Sequence, residues 1–263
     1  MVFGSDAPQG PGQHIFKPEQ LVECHTPLKT LLPAFHDKFV LVAGYKETIE
    51  AIHDYGFKRA IHSEELLGLI PEIAPLPART IPESLLTARK EAVLKRFGMN
   101  REELLDQLKF DALFIACDVY NYEFNMEIFT ELVLSKDGRL GQKDRRMSMS
   151  EKQHCKMFIT NPDLKWADKY ILPRMSGQLP FVLALNSYLD AAFDGMKAEF
   201  TTFGKPSKLT FEYAEEVLRE QAAELGVDIT EIYMIGDNPP GDIKGPNLMG
   251  KGWNSILVHS GVY

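Results

Sequence analysis

The sequence has 263 residues, a formal net charge of −8 and an isoelectric point near 5.4. Its 44% hydrophobic and 25% charged residues are typical of a globular protein whose core forms without metal ions or disulfides. The acidic balance leaves no basic face for a phosphate backbone, so we expect no nucleic-acid partner.

Targeting signals and membrane spans are not evident in the sequence. No apolar run approaches the roughly 20 residues that cross a bilayer. Residues 1–16 have neither the apolar stretch of a signal peptide nor the arginines of a transit peptide. The three cysteines form no CxxC pair, which fits a reducing compartment. We therefore expect an intracellular protein, cytoplasmic by default, or a mitochondrial one if a transit peptide precedes Met1.

Strands and helices are predicted to alternate after a disordered tail at residues 1–14, which is rich in Gly, Pro and Gln. Apolar runs predict the strands, and apolar residues at helical spacing predict the helices. Ser63 is expected to be the N-cap of a helix that ends at Ile70. In chain order, the predicted elements are strand 39–45, helix 46–56, strand 57–63, helix 63–70, an amphipathic segment 83–108, strand 110–117, helix 123–134, strand 155–163, helices 180–193 and 207–226, and strands 232–237 and 254–260. This alternation predicts parallel sheets joined by helical crossovers.

An acidic loop follows the predicted strand at 232–237. The strand ends in Gly236-Asp237, and a second acid, Asp242, follows five residues later among prolines and glycines. Ligands of open α/β sheets collect beyond the carboxyl ends of the strands. Two carboxylates there repel each other unless a cation neutralises them, and oxygen ligands suit Mg²⁺. The alternative is a solvated turn, since Asp, Asn, Pro and Gly all favour turns.

A lysine stands at the entrance to the predicted helix 207–226. Gly204 and Pro206 flank Lys205, and the helix is expected to start near Ser207. A lysine in this place can lie against phosphate oxygens as a fixed positive charge. The alternative is an ordinary solvated lysine. If both segments serve one site, Lys205, Asp237 and Asp242 must converge on the carboxyl edge of a single parallel sheet.

Together, the two segments resemble the last two motifs of the haloacid-dehalogenase (HAD) superfamily, a GKP lysine and a GDNPxxD loop separated by one helix. The segment FITNPDLKW (158–166) is similar to one in class IIA of that superfamily. Within class IIA, the segments CHTPLKTL, GFKRAI, GKPSKLTFEYAE and YMIGDNPPGDIKGPN resemble the cat-eye-syndrome critical region hydrolase-like family. The resemblance covers roughly residues 23–263.

The resemblance implies Mg²⁺-dependent hydrolysis of a small phosphorylated substrate. Lys205 would orient the nucleophile and balance the phosphate charge, and Asp237 and Asp242 would bind Mg²⁺. Gly204 and Asn238 would shape the phosphate-binding loops, together with Gly236. Three residues in the strand at 155–163 and its turn are expected to be structural: Thr160, Asn161 and Asp163.

The resemblance also implies an α/β fold in two parts, a HAD-like Rossmann-type parallel-sheet core and a class IIA α/β cap domain. Residues 35–195 would form the cap domain, and residues 196–263 the C-terminal part of the core. Residues 15–34 would connect the two. Proteins of this class often pair through their caps, so a homodimer through the cap is possible.

One expected motif is absent from the sequence. HAD phosphatases use an Asp-x-Asp loop, in which the first aspartate forms an aspartyl-phosphate, and no Asp-x-Asp occurs here. The nearest lookalike is Asp118, but Tyr120 occupies the place of the second acid, so we expect Asp118 to be structural.

The absence of this loop changes what we expect of the chain. We expect the N-terminal part of the core, with its nucleophile and Thr/Ser-Asn motifs, to be missing. A shortened gene model, a spliced variant or a genuinely non-catalytic relative would each produce this absence. We predict weak Mg²⁺ binding and no hydrolysis by the sequence as written. The alternative is a non-catalytic binding or scaffold module that retains the later half of the fold.

Overall fold

A computed structural model describes residues 20–166, 169–172, 174 and 177–259. The predicted tail (1–14) and the start of the predicted connection (15–19) lie outside these residues. No helix in the described ranges is both long and apolar enough to cross a membrane.

Seven strands form two parallel sheets in the described residues. The strands are β1 (Phe39–Ala43), β2 (Ala60–His62), β3 (Phe110–Ile115), β4 (Lys156–Ile159), β5 (Phe200–Thr202), β6 (Ile232–Gly236) and β7 (Trp253–Leu257). The first sheet has the order β2-β1-β3-β4-β5, and β6 pairs with β7 in the second. Every pairing is parallel, which confirms the predicted α/β fold class.

Helices connect and cover the strands. They are α1 (Leu32–Phe35), α2 (Thr48–Asp54), α3 (Ser63–Leu69), α4 (Pro75–Thr80), α5 (Glu83–Phe97), α6 (Arg101–Gln107), α7 (Tyr122–Leu134), α8 (Gln178–Ala192), α9 (Lys208–Glu224) and α10 (Lys244–Met249). Short 3₁₀ helices occupy Thr26–Leu31 and Pro71–Ile73, and a π-helical turn occupies Pro239–Ile243. The predicted segment 83–108 is two helices, because Gly98 takes a left-handed conformation and ends α5.

The five-stranded sheet is largely buried on both faces, except at its edge strand β5, which is partly exposed. In β1, Phe39, Leu41 and Ala43 point into one core cluster, with side chains of α3, α5, α7 and α8. The alternate residues Val40 and Val42 point into a second cluster, with side chains of α1 and α2. This two-sided burial explains why the strands appear in the sequence as continuous apolar runs.

The two-stranded sheet differs in its exposure. Tyr233, Ile235 and Ile256 are exposed, and the pairing of Ile235 with Ile256 puts these side chains on one face. The other face packs against α9, where the rings of Phe211 and Trp253 meet edge to face at 5.4 Å.

The prediction that Lys205, Asp237 and Asp242 lie at the carboxyl edge of a single parallel sheet was wrong, because the strands before them belong to two sheets. β5, which precedes Lys205, pairs with β4 in the first sheet, whereas β6, which precedes Asp237, pairs with β7 in the second. Sequence patterns predict strands but not their partners, because partners are chosen by contacts distant in the chain. The first sheet also crosses the predicted boundary at residues 195/196, and the assignment of cap and core domains stays a prediction.

The N-cap of α3 is His62, not Ser63 as predicted. The ring Nδ1 of His62 accepts the backbone N–H of Glu64, and Glu65 accepts the backbone N–H of His62. Burial opposes ionisation of Glu65, but hydrogen bonds and charge from Arg96 outweigh it, so the pKa of Glu65 is lowered. Both Arg96 terminal nitrogens reach this carboxylate, at 2.9 and 2.6 Å. The helix start is therefore part of a buried ion pair.

The chain turns sharply after β5. Gly204 has φ +79°, and a Cβ atom there would stand 2.1 Å from the carbonyl oxygen of Thr160. The backbone N–H of Gly204 donates to Thr210 Oγ1 at 2.7 Å, which closes the turn onto α9. Only glycine allows the two backbones to approach so closely.

We predict that Gly204→Ala lowers the free energy of unfolding by about 2 kcal/mol or more, because positive φ and backbone overlap both oppose the methyl group. Gly98→Ala is the matched control, since Gly98 has φ +64° and a Cβ atom there would meet nothing within 4 Å. Urea unfolding measures both. Equal losses in the two variants would contradict the close approach at Thr160.

Glu65→Ala is expected to cost roughly 3 kcal/mol of stability, because it leaves Arg96 partly buried without its carboxylate. The control is Glu103→Ala in α6, where Glu103 fills the same helix-capping role but is exposed; its loss should cost about 1 kcal/mol. Thermal and urea unfolding of the two variants compare these costs. A smaller loss for Glu65→Ala than for Glu103→Ala would refute the assignment.

Candidate functional site

Three loops meet at one cleft of about 610 Å³. They follow the carboxyl ends of β4, β5 and β6, which is where open α/β sheets bind ligands. Four prolines form much of the cleft wall: Pro162, Pro206, Pro239 and Pro240. The cleft thus joins the edge of the five-stranded sheet to the loop of the two-stranded sheet.

An ion pair between Lys205 and Asp242 connects the loops after β5 and β6. Lys205 Nζ lies 2.5 Å from Asp242 Oδ1. The Asp242 side chain is 3% exposed, whereas that of Lys205 is 40% exposed and lines the cleft. A buried carboxylate is unstable without a partner, so the lysine compensates its charge while part of the ammonium group still faces solvent.

The second oxygen of Asp242 organises its own loop. Asp242 Oδ2 accepts the backbone N–H of Asn238 at 2.9 Å, and the backbone N–H of Asp242 donates to the Asn238 carbonyl at 2.7 Å. The carboxylate folds over Gly236, where a Cβ atom would lie 2.2 Å from Oδ2. The Gly-Asp-Asn sequence therefore allows the acid of the π-helical turn to reach back across the end of β6.

Asp163, which the sequence predicts to be structural, belongs to the candidate site in the structure. Its Oδ1 accepts the side-chain N–H of Asn238 at 3.1 Å, and it lines the cleft. The bond joins residues 75 positions apart and connects the β4 loop to the β6 loop. One feature of the sequence indicates this contact. The segment NPD (161–163) follows β4 and the segment GDN (236–238) stands at the end of β6, so both turns lie at the carboxyl ends of parallel strands.

The environment of Asp163 disfavours its negative charge. Burial raises the pKa of the Asp163 carboxyl, and the carboxylates of Asp242 and Asp237 add to this. The charge of Lys205 and the hydrogen bond from Asn238 oppose the rise without cancelling it. A carboxylate in this place weakens the attraction of the cleft for anions.

Thr160 and Asp118 lie deeper along the same sheet edge. Thr160 is fully buried and donates to the carbonyl oxygens of Ile115 and Ala116. Asp118 follows β3 and accepts the backbone N–H of Gln178, the first residue of α8; burial raises its pKa, and Asp163 adds to the shift. Neither side chain lines the cleft.

The predicted metal ligands do not form a complete metal site within the described residues. No group of three or more His, Cys, Asp or Glu side chains there is arranged to hold an ion. Asp242 uses one oxygen for Lys205 and the other for Asn238. Asp237 is half-buried near these groups. The group in this arrangement that suits an anionic ligand is the Lys205 ammonium, which lines the cleft.

Sequence comparisons identify relatives of the chain. Residues 202–263 match the HAD-hydrolase-like family. A cardiolipin synthase (CMP-forming)/mitochondrial hydrolase fusion protein of Schizosaccharomyces pombe is 31% identical over 255 residues, which are 93% of this chain and 38% of the relative. The mitochondrial hydrolase YKR070W of Saccharomyces cerevisiae is 27% identical over 267 residues, which are 94% of this chain and 70% of the relative. The chain therefore spans about two fifths of the first relative and about seven tenths of the second.

Among solved structures, this chain is similar to a double mutant of the thermostable NPPase from Geobacillus stearothermophilus. The aligned region covers 92% of this chain and 85% of the NPPase chain. The TM-score is 0.38 and the identity 15%, a likeness too weak to support an assignment. The sequence matches therefore show that residues 202–263 are similar to the HAD-hydrolase-like family and that most of the chain is similar to two proteins named as mitochondrial hydrolases or as fusions with one.

Proposed function

We propose that this chain carries the phosphate-binding part of a phosphomonoester hydrolase site of the class IIA, cat-eye-syndrome critical region hydrolase-like kind. The observation that supports this most is the ion pair of Lys205 and Asp242, which lies at the cleft where three strand ends meet. The substrate would be a small phosphorylated molecule, since the cleft has a volume of about 610 Å³.

Lys205 supplies the fixed charge in this proposal. Its pairing with buried Asp242 holds the ammonium in place before a ligand arrives, so little reorganisation is needed on binding. Asn238 is held from two sides, by Asp242 through its backbone and by Asp163 through its side chain. These contacts support a role for the β6 loop in shaping the phosphate position.

Mg²⁺ is the metal expected from the family, but the ligands in the described residues do not fit a complete site. Asp237 and Asp242 remain the proposed ligands, and additional oxygen ligands would be needed beside them. We therefore assign the metal no step. Its affinity for this chain is expected to be weak.

Catalysis by the chemistry of the family would require the Asp-x-Asp loop, and no Asp-x-Asp occurs in the sequence. We propose that the chain by itself binds phosphate without hydrolysing phosphomonoesters. A second candidate is a non-catalytic binding or scaffold module. It is favoured by the engagement of both Asp242 oxygens by protein groups.

Location and assembly are part of the proposal. The Saccharomyces cerevisiae relative is named a mitochondrial hydrolase, and the Schizosaccharomyces pombe relative is named a fusion protein that contains one. These names support a mitochondrial location in preference to the cytoplasm. Pairing of two copies through the proposed cap domain, residues 35–195, is expected from the class. Size-exclusion chromatography with light scattering measures it.

Inorganic phosphate should bind to the chain in titration calorimetry, and Lys205→Met should weaken it at least about tenfold, because a charged hydrogen-bond donor is lost. Lys205→Met leaves Asp242 buried and unpaired, so the double variant Lys205→Met/Asp242→Asn provides a folded comparison. The control is Lys251→Ala, which removes an exposed lysine elsewhere on the surface, and this variant should bind phosphate as the unaltered protein does.

The same protein should not turn over p-nitrophenyl phosphate, with or without Mg²⁺. Magnesium-dependent turnover would overturn the predicted inactivity of the chain. Phosphate binding that is absent, or unchanged in both Lys205 variants, would instead reject the proposed phosphate site.

Phosphate affinity should rise as pH falls toward the raised pKa of Asp163, because protonation removes a negative charge from the cleft. Asp163→Asn keeps an oxygen acceptor for Asn238 and should bind phosphate several-fold more tightly at pH 8, with a flatter pH profile after correction for phosphate ionisation. The control is exposed Asp228→Asn. A profile equally steep in Asp163→Asn would show that another group titrates.

A further inference from the structure

We infer that the cleft takes substrates with a second anionic group beside the phosphate, held by Lys165 and Lys244. This inference rests on the proposed phosphate site at Lys205 and names the chemical class of its substrate. The second group could be another phosphate or a carboxylate, since both present oxygen anions to an ammonium group.

The charges around the cleft carry this inference. Lys165, Lys205 and Lys244 all line it, whereas Asp163 is the acidic residue among its lining residues in the described part of the chain. Asp242 neutralises Lys205 from beneath, at 2.5 Å. Lys165 and Lys244 are exposed, and neither makes an ion pair with another described residue. In a chain of net charge −8, the cleft therefore combines a compensated lysine with two uncompensated ones.

The two uncompensated lysines come from different loops. Lys165 follows Asp163 in the loop after β4, and Lys244 is the first residue of α10 after the π-helical turn. A positive charge at the first residue of a helix gains nothing from the helix dipole. Stabilisation of α10 therefore does not explain Lys244, whereas an anion shared with Lys165 does.

The cleft wall strengthens this effect. The rings of Pro206, Pro239 and Pro240, with the side chain of Leu164, present apolar surface beside the lysines. Low-dielectric walls concentrate the field of nearby charges and raise the local concentration of anions. The proline rings also restrict the backbone on both sides of the cleft. A ligand that spans from Lys205 to the other two lysines would use all three charges.

Titration calorimetry on the full chain, with three probes at fixed ionic strength, tests the inference. The probes are inorganic phosphate, pyrophosphate and phosphonoacetate, the last two of which add a second phosphate or a carboxylate. We expect pyrophosphate, phosphonoacetate or both to bind at least about tenfold more tightly than phosphate. Which of them does so identifies the second anionic group.

The double variant Lys165→Ala/Lys244→Ala should lose this advantage, so that pyrophosphate and phosphonoacetate bind to it no more tightly than inorganic phosphate does. The control Lys38→Ala/Lys251→Ala removes two exposed lysines outside the cleft and should retain the advantage. Both variants change exposed side chains, and circular dichroism checks that they fold.

The outcomes separate the two proposals. If phosphate binds through Lys205 but neither larger probe binds more tightly, the second subsite is wrong and the proposed phosphate site stands. An advantage that persists in Lys165→Ala/Lys244→Ala, or disappears in the control, also overturns it. If phosphate itself does not bind, the proposed function fails and the second subsite fails with it.

Discussion

The ion pair between Lys205 and Asp242 is the constraint on which the candidate site depends. It joins a loop of the five-stranded sheet to a loop of the two-stranded sheet, at a nitrogen–oxygen distance of 2.5 Å. Asp242 is almost fully buried, and a buried carboxylate must find a cation and further donors. Lys205 and the Asn238 backbone meet that need, and in doing so they place both loops around one cleft. The position of the lysine is thus a consequence of the burial of the acid.

Two glycines make the ion pair between Lys205 and Asp242 possible, one next to the lysine in the chain and the other against the carboxylate. Gly204 passes so close to the Thr160 carbonyl that no larger residue fits, and Gly236 leaves the space that the Asp242 carboxylate fills. Neither glycine offers a side chain to a ligand. Their contribution is the close approach of backbone and carboxylate that brings the lysine and the acid together.

The Asp163 carboxylate has two opposing effects on the cleft. It aligns Asn238 by a hydrogen bond, yet it places negative charge where an anion would bind. Burial and the nearby acids Asp237 and Asp242 raise the pKa of this carboxyl group. Ionisation of Asp163 favours its hydrogen bond with Asn238 but weakens the attraction of the cleft for an anion. The lysines of the cleft, Lys205 among them, offset this charge in a chain that is acidic as a whole.

The sequence alone determined most of the longer elements, because continuous apolar runs and helical spacing reflect burial that each segment carries within itself. It did not predict the short, partly exposed strand β5 or the short helix α10. From two short motifs one helix apart, it predicted that Lys205, Asp237 and Asp242 converge, but it did not predict that Lys205 pairs with Asp242. Only the tertiary structure decided that β5 and β6 belong to different sheets, that His62 caps α3, and that Asp163 reaches Asn238 across 75 positions. These features depend on which distant segments pack together, and no local pattern of residue types encodes that choice.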